Sequence, residues 1–151
     1  MSFNLSKAEI QQRDHYRNGS PDDLAAFTDA YIECALWSSN DESDESGGEP
    51  LDSNYTADDL SDECREEMRA DCAAFYRLFH KVWRHAKDYG PEQAGHDFWL
   101  TRNGHGTGFW DREALEKHGY AGYSAKTVLT EASQGCGEVN LSVQDGKIVA
   151  D

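Results

Sequence analysis

The sequence predicts an α+β fold in which N-terminal helices pack with a small antiparallel sheet made of two hairpins. Three observations favour this class. Apolar residues recur at helical spacing through the first half, the pattern becomes aromatic and alternating after Gly95, and glycine-containing turns separate two pairs of strand-like runs. The C-terminal half is therefore expected to have the order β-β-α-β-β. With 151 residues the chain has the size of one ordinary domain, so we expect a single domain over residues 1–151.

Two helices are predicted in the N-terminal part of the chain. Ser6 and Glu9 form a capping-box pattern that opens a helix over about residues 7–17. Residues 20–23 then supply an N-cap serine, a proline at the first helical position and two acidic residues, which is the signature of a second helix start. Its apolar residues recur at helical spacing as far as Trp37, where we expect it to end.

A mobile acidic loop and a long third helix are predicted next. Residues 38–55 contain almost no apolar side chain, so this segment cannot bury enough surface to order itself strongly. Thr56 and Asp59 can cap a helix that runs to Asp88, where a Gly-Pro pair follows. Steps of three and four residues give this helix an apolar stripe. The stripe consists of Leu60, Cys64, Met68, Cys72, Phe75, Phe79, Val82 or Trp83, and Ala86.

The first hairpin is predicted around a glycine-rich turn. Residues 97–103 and 107–112 have the aromatic, alternating character of strands, and Gly104-His105-Gly106 between them tolerates the positive φ that tight turns need. With a two-residue turn, Trp99 and Trp110 stand opposite each other, whereas a three-residue turn shifts the partners by one. The sequence leaves this register open.

The remaining elements follow from shorter patterns. A short helix is possible at about 112–118, and a further helix is expected at about 125–134, behind Ser124. Residues 139–143 and 147–150 read as a second hairpin whose turn is Asp145-Gly146.

The stretch His96–Arg112 also resembles sequences of other proteins. Together with the preceding Gly95 it contains the motif GHDFWLTRNGHGTGFWD. This motif, with the upstream stretch Tyr31–Ser39 and the downstream stretch Gly137–Leu141, resembles a group of small uncharacterised proteins encoded by tailed bacteriophages. The resemblance implies a phage source and synthesis in the host cell. It implies no activity, since none is established for that group.

Negative charge is concentrated in one part of the chain. The formal net charge is -15, and residues 41–71 hold thirteen acidic residues against two arginines, a net of -11, which leaves -4 for the rest. Such a segment repels duplex DNA and anionic membranes and favours a basic protein partner. Because the sequence also lacks a secretory signal pattern and a long apolar run, we expect a cytoplasmic protein.

The densest charges define a candidate binding surface, which we call the acidic face. Its members are Asp58, Asp59, Asp62, Glu63, Glu66 and Glu67. On one continuous helix these carboxylates would lie roughly 2.5 Å apart along the axis, close to the spacing of about 1.7 Å for phosphate charges in duplex DNA. The leading hypothesis is a non-enzymatic protein that binds and modulates a basic host protein, as a DNA-mimic-like inhibitor of a DNA-binding or defence protein. The competing interpretation is an ordinary solvated helix face.

An alternative ligand site is centred on the first hairpin. Its candidate residues are Trp99, Arg102, Asn103, His105, Trp110 and Asp111. Exposed tryptophans could stack on a nucleotide or on single-stranded nucleic acid, with binding or catalysis supported by the polar groups. The structural interpretation places the tryptophans in the core, leaves the turn histidine solvated, and has Asp97 or Asp111 bond backbone or pair with Arg112.

Catalytic and metal signatures are missing from the sequence. It has no G-x-S-x-G, no Walker loop, no H-E-x-x-H motif and no C-x-x-C pair among its four cysteines. We therefore expect no cofactor and no metal, and an enzyme is the less favoured class. An accessory role in phage assembly is a third hypothesis, and the oligomeric state is left open.

Overall fold

The protein has an α+β fold with its long helices in the N-terminal part of the chain. The computed structural model describes residues 19–43, 48–116, 119–120 and 122–151, so the helix predicted over residues 7–17 lies outside the described residues. The helices described are α1 (Pro21–Ser38), α2 (Asp62–Trp83), α3 (Pro91–Arg102) and α4 (Ala125–Gly135). The antiparallel strand pairs are β1 (Asn40–Asp41) with β2 (Glu49–Pro50), β3 (Gly119–Tyr120) with β4 (Tyr123–Ser124), and β5 (Leu141–Gln144) with β6 (Lys147–Ala150).

Helix α3 is the centre of the hydrophobic core. Every residue of the segment 97–102 is buried, because α1, α2 and α4 pack around this helix. The ring of Phe98 stacks on Phe75 with the ring centroids 4.0 Å apart, and on Phe27 at 5.9 Å. Gly95 lies directly against the backbone carbonyl of Phe27. The absence of a side chain at this glycine lets α1 and α3 approach closely.

The hairpin predicted over residues 97–112 is therefore wrong. Residues 97–102 are helical, and the second predicted strand is replaced by a 3-10 turn at Phe109–Asp111. The Gly90-Pro91 pair, interpreted as the end of the third helix, instead begins α3, with proline in its first turn. Because α3 is buried on all sides along its second half, it shows no polar face, and its aromatic run looks like a strand.

The third predicted helix is confirmed over most of its length and corrected at both ends. Thr56 and Asp59 do form a capping box, but it closes only a 3-10 turn at Ala57–Asp59. The chain then breaks, and Ser61 caps α2 through its side chain while its backbone N–H donates to the carbonyl oxygen of Ile148. At the other end, α2 stops at Trp83 instead of Asp88. The predicted apolar stripe is buried, except that Phe79 is half-buried.

The part of the chain after α3 has the order β-β-α-β-β, but because α3 replaces the first strand of the predicted hairpin, the first strand pair is β3 and β4 and not residues 97–112. Helix α4 is confirmed, with the Ser124 side chain accepting a hydrogen bond from the Thr127 backbone. The second hairpin is also confirmed, and both residues of its turn, Asp145 and Gly146, have positive φ. Two consecutive positive φ values define the type I′ turn of tight hairpins. The helix expected over 112–118 is reduced to a 3-10 turn at Glu113–Leu115, and residues 117 and 118 lie outside the described residues.

Parts of the acidic segment 38–55 have regular structure. Strands β1 and β2 pair, and a 3-10 turn at Leu51–Ser53 follows. Leu51 is fully buried, and its backbone N–H donates to the carbonyl oxygen of Ser39 at 2.8 Å. One apolar side chain thus fixes the far end of the segment against α1. The mobility expected from its composition stays a prediction.

Candidate functional site

The acidic face lies on two elements. Asp58 and Asp59 belong to the 3-10 turn that precedes α2, and the break at Leu60 and Ser61 separates them from the other four carboxylates. The single continuous helix assumed for the charge spacing is therefore wrong. Asp59 is also occupied, since its carboxylate accepts a hydrogen bond from the Thr56 backbone at 2.8 Å.

The four carboxylates on α2 are exposed and lie close together. They are Asp62, Glu63, Glu66 and Glu67. Five helical rises, about 7.5 Å, separate the first from the last, so the axial interval is still about 2.5 Å. Asp62 with Glu66 and Glu63 with Glu67 are like-charged pairs four residues apart, an arrangement that costs a few tenths of a kcal/mol per pair.

Two arginines lie close to these carboxylates on α2, but neither forms a salt bridge with them. Within the described parts of the chain, no salt bridge joins any member of the acidic face to a basic residue. Arg65 lies among the carboxylates, but its guanidinium donates to the backbone carbonyl of Ala57 at 2.6 Å. Arg69, one turn further along α2, is exposed. The acidic face therefore presents its charge to solvent.

The alternative ligand site is not one cluster. Arg102 is buried, and each of its three guanidinium nitrogens donates a hydrogen bond: its Nε donates to Gly137 O at 2.8 Å and its Nη2 to Cys136 O at 3.0 Å. Its Nη1 donates to the hydroxyl of Tyr31 and to Asp71 Oδ2, at 3.0 and 2.9 Å. This guanidinium ties α1, α2 and the end of α4 to α3. It has a structural role, and it also lines a cavity of about 240 Å³ together with Asp71, Phe79 and Cys136.

The two candidate tryptophans have different environments. Trp99 is 1% exposed, packs edge-on against Tyr31 and donates its indole N–H to Ser38 Oγ at 2.7 Å. Trp110 is 47% exposed and lies on the 3-10 turn with Asp111, which accepts a hydrogen bond from Thr107. The prediction that tryptophans belong to the core is confirmed for Trp99 and wrong for Trp110. Trp99 and Trp110 therefore do not form a paired stacking platform.

The expected pairing of Asp97 with Arg112 is confirmed. Asp97 is fully buried, and the Arg112 guanidinium contacts both of its oxygens, with the shortest distance, 2.7 Å, from Nη2 to Oδ1. Tyr89 and Gln93 donate two further hydrogen bonds to the same carboxylate. All these partners belong to the protein, so Asp97 serves the fold and has no free oxygen directed at solvent.

Three residues of the alternative set line a cavity that the sequence did not indicate. This polar groove has a volume of about 670 Å³ and lies between the segment that follows α1 and the strand β5. Asn103 fixes its floor, because the side chain donates to Trp99 O at 2.9 Å and accepts from the Val139 N–H at 2.8 Å. The lining residues are Ser38, Ser39, Asn40, Glu42, Ser43, Trp99, Asn103, His105, Glu138, Val139, Asn140, Leu141, Ser142, Val143, Gln144 and Asp151.

No sequence pattern indicates the groove, because its two walls lie about a hundred residues apart in the chain. The Asp145-Gly146 signal located β5, but no local pattern indicates which segment faces that strand. The wall formed by residues 38–43 also belongs to the segment predicted as a mobile loop.

The chemistry available at these sites is limited. Burial raises the pKa of the Cys34 thiol to about 12, and burial likewise raises the pKa of Cys64, Cys72 and Cys136. A thiol with a raised pKa is a poor nucleophile at neutral pH. In the part of the chain that the structure describes, no three His, Cys, Asp or Glu side chains are placed to hold a metal ion.

Comparison with known proteins adds no assignment. No protein-family model matches the chain, and no curated protein and no solved structure is significantly similar to it. None of the described helices combines the length and the apolar composition needed to cross a bilayer.

Proposed function

We propose that this protein is a non-enzymatic binding protein whose acidic face docks on a basic surface of another protein. The observation that carries the proposal is the set of four exposed carboxylates at the start of α2, Asp62, Glu63, Glu66 and Glu67, none of which forms a salt bridge with a described residue. The two carboxylates within each like-charged pair repel each other, and a cationic partner would relieve that repulsion.

A basic DNA-binding protein of a bacterial host would suit this surface. The axial interval of about 2.5 Å between the carboxylates is comparable to the spacing of phosphates on duplex DNA. Together with the resemblance to phage proteins, this supports an inhibitor that occupies a DNA-binding groove in the host cytoplasm. Duplex DNA and anionic membranes are not expected as direct partners, because a net charge of -15 repels both.

Charge reversal tests the proposal. The variant Asp62→Lys, Glu63→Lys, Glu66→Lys, Glu67→Lys should lose the capture of its partner from bacterial lysate, while the wild-type protein should capture it at low salt and release it at high salt or on addition of DNA. The measurement is quantitative mass spectrometry of the captured proteins.

The matched control reverses four exposed carboxylates elsewhere, in the variant Asp29→Lys, Glu33→Lys, Glu113→Lys, Glu131→Lys. Its net charge changes by the same amount, so retained capture by this control would assign the effect to the acidic face. If both variants lost the partner equally, the interaction would depend on net charge alone and not on the acidic face. If both variants still captured the partner, the proposal would be disproved.

The nucleotide hypothesis receives less support. The groove does collect Trp99, Asn103 and His105, but Arg102 is engaged elsewhere and three carboxylates, those of Glu42, Glu138 and Asp151, line the groove. Negative charge at the lining opposes a phosphate group.

A further inference from the structure

We infer that the polar groove is a second recognition site, which takes an extended, lysine- or arginine-containing segment of the partner as an added strand along β5. This inference rests on the proposed function, since a basic partner supplies the segment. The observations behind it are the free edge of β5, the charge of the groove and the fixed position of its walls.

The backbone register identifies the free edge. Gln144 pairs with Lys147 across the two-residue turn, so in this type of hairpin the pair Gln144–Lys147 and every second pair after it exchange hydrogen bonds. The bond from Asp151 N to Asn140 O, at 2.8 Å, follows the same alternation. The N–H and C=O groups of Leu141 and Val143 therefore point away from β6.

These outward groups have no partner among the described residues. The residues Asn140–Gln144 form one wall of the groove and extend over roughly 16 Å at the rise of a strand. The opposite edge of the hairpin is covered at Ile148, where Leu60 forms a bridge and Ser61 donates to the carbonyl oxygen. Strand β1 lies beside part of β5, so an extended peptide adds along the rest of this open edge.

The charge of the groove selects the kind of peptide. Glu42, Glu138 and Asp151 line it, and no lysine or arginine does so among the residues described. Cationic side chains of an added strand would form ion pairs with these carboxylates on both walls of the groove. The same negative charge disfavours the pairing of two β5 edges from two copies of this chain, each of which carries a net charge of -15.

The groove is held open by contacts at its floor. Trp99 donates to Ser38 at one wall, and Asn103 accepts from Val139 at the other. Both floor residues belong to α3 or follow it directly, so the central helix sets the separation of the walls. A volume of about 670 Å³ lies within the usual range of ligand sites, about 300 to 1,000 Å³. A peptide therefore enters a preformed site and needs little ordering of the protein.

A direct test uses a short fluorescein-labelled peptide of alternating lysine and valine, with fluorescence anisotropy at about 150 mM salt. We expect saturable binding to the wild-type protein and at least tenfold weaker binding of the same peptide with alternate backbone nitrogens methylated, since methylation removes the donors that pair with β5. An alternating glutamate-valine peptide should not bind.

Protein variants locate the site. Glu42→Gln with Glu138→Gln should raise the Kd for the lysine-valine peptide about fivefold, whereas the control Glu113→Gln with Glu131→Gln, which removes two exposed charges outside the groove, should leave it unchanged. Val143→Pro removes an outward N–H that the hairpin does not use, and should weaken binding about five- to tenfold. Should this variant fail to fold, the methylated peptide tests the same bond on the unaltered protein.

Several outcomes would overturn the inference. These are equal binding of the methylated and unmethylated peptides, an equal effect of the groove and control variants, saturable binding of ATP in place of the peptide, or a stable dimer that Val143→Pro dissociates. The proposed function is tested separately by the four-lysine variant of α2. If the four-lysine variant loses the partner but the lysine-valine peptide does not bind in the groove, only the groove assignment fails. If the peptide binds as expected while the four-lysine variant keeps the partner, the proposed function alone fails.

Discussion

At the scale of single residues, Arg102, a candidate ligand residue in the sequence, holds the core together. Arg102 joins four elements through hydrogen bonds to Tyr31, Asp71, Cys136 and Gly137. Its guanidinium also lies 5.3 Å from the centroid of the Phe98 ring. A planar group with five donors satisfies this geometry, whereas a single ammonium cannot.

Replacement of Arg102 by lysine should therefore destabilise the protein. The lysine ammonium would be buried with most of the carbonyl and hydroxyl acceptors unmatched, so we expect the free energy of unfolding to fall by about 2 to 4 kcal/mol. Urea denaturation followed by circular dichroism measures it. Arg69→Lys is the matched control on the exposed side of α2 and should change stability by less than about 0.5 kcal/mol. A stability loss of the same size in both variants would contradict this role of Arg102.

At the scale of elements, the buried position of α3 explains why a hairpin was wrongly predicted over residues 97–112. It also explains the close packing of α3 on α1. Proline at its start and an aromatic run inside it were visible in the sequence, but a helix buried along its second half carries no amphipathic signal. The helices α1 and α2 were predictable from apolar residues at helical spacing, α4 from its capping residue Ser124, and the β5–β6 hairpin from the Asp145-Gly146 turn, because each of these signals is local. The groove was not predictable, since its walls meet only through tertiary packing on Trp99 and Asn103.

Gly95 tests the importance of the close contact between α1 and α3. A methyl group there would overlap the carbonyl oxygen of Phe27, which belongs to the backbone and cannot rotate away. We expect Gly95→Ala to lower the free energy of unfolding by about 2 to 3 kcal/mol, as overpacking of a core does. Gly135→Ala in α4 meets nothing within 4 Å and should leave stability unchanged or raise it by up to about 1 kcal/mol. If Gly95→Ala were as stable as the wild type, the two helices would not pack as closely as described.

At the scale of the whole molecule, buried tyrosines limit stability at high pH. Burial is the main cause that raises the pKa of Tyr31, Tyr76 and Tyr89 above the ordinary value of about 10. The folded protein therefore keeps these phenols neutral while the unfolded chain ionises them. The contribution to stability is complete below about pH 10 and is lost as the pH rises from there towards the folded-state pKa values.

Between about pH 10 and pH 11.5 the free energy of unfolding should fall by up to about 1.4 kcal/mol per pH unit for each of these tyrosines. Urea denaturation at a series of pH values, with tyrosinate absorbance recorded in parallel, measures the slope. Tyr89→Phe removes one such group and should make the slope shallower by that amount, and Tyr123→Phe, at a residue that is 66% exposed, should not. Identical slopes for wild type and Tyr89→Phe would contradict the assignment.

The hydrogen bond from Ser61 to Ile148 has a consequence for the order in which the protein assembles during synthesis. The first turn of α2, with its carboxylates, is anchored by a strand near the other end of the described chain. Such a pairing of distant residues raises the contact order and forms late. While a ribosome is still translating the C-terminal hairpin, the nascent chain lacks this anchor, so a competent acidic surface is completed only once residue 148 has left the exit tunnel.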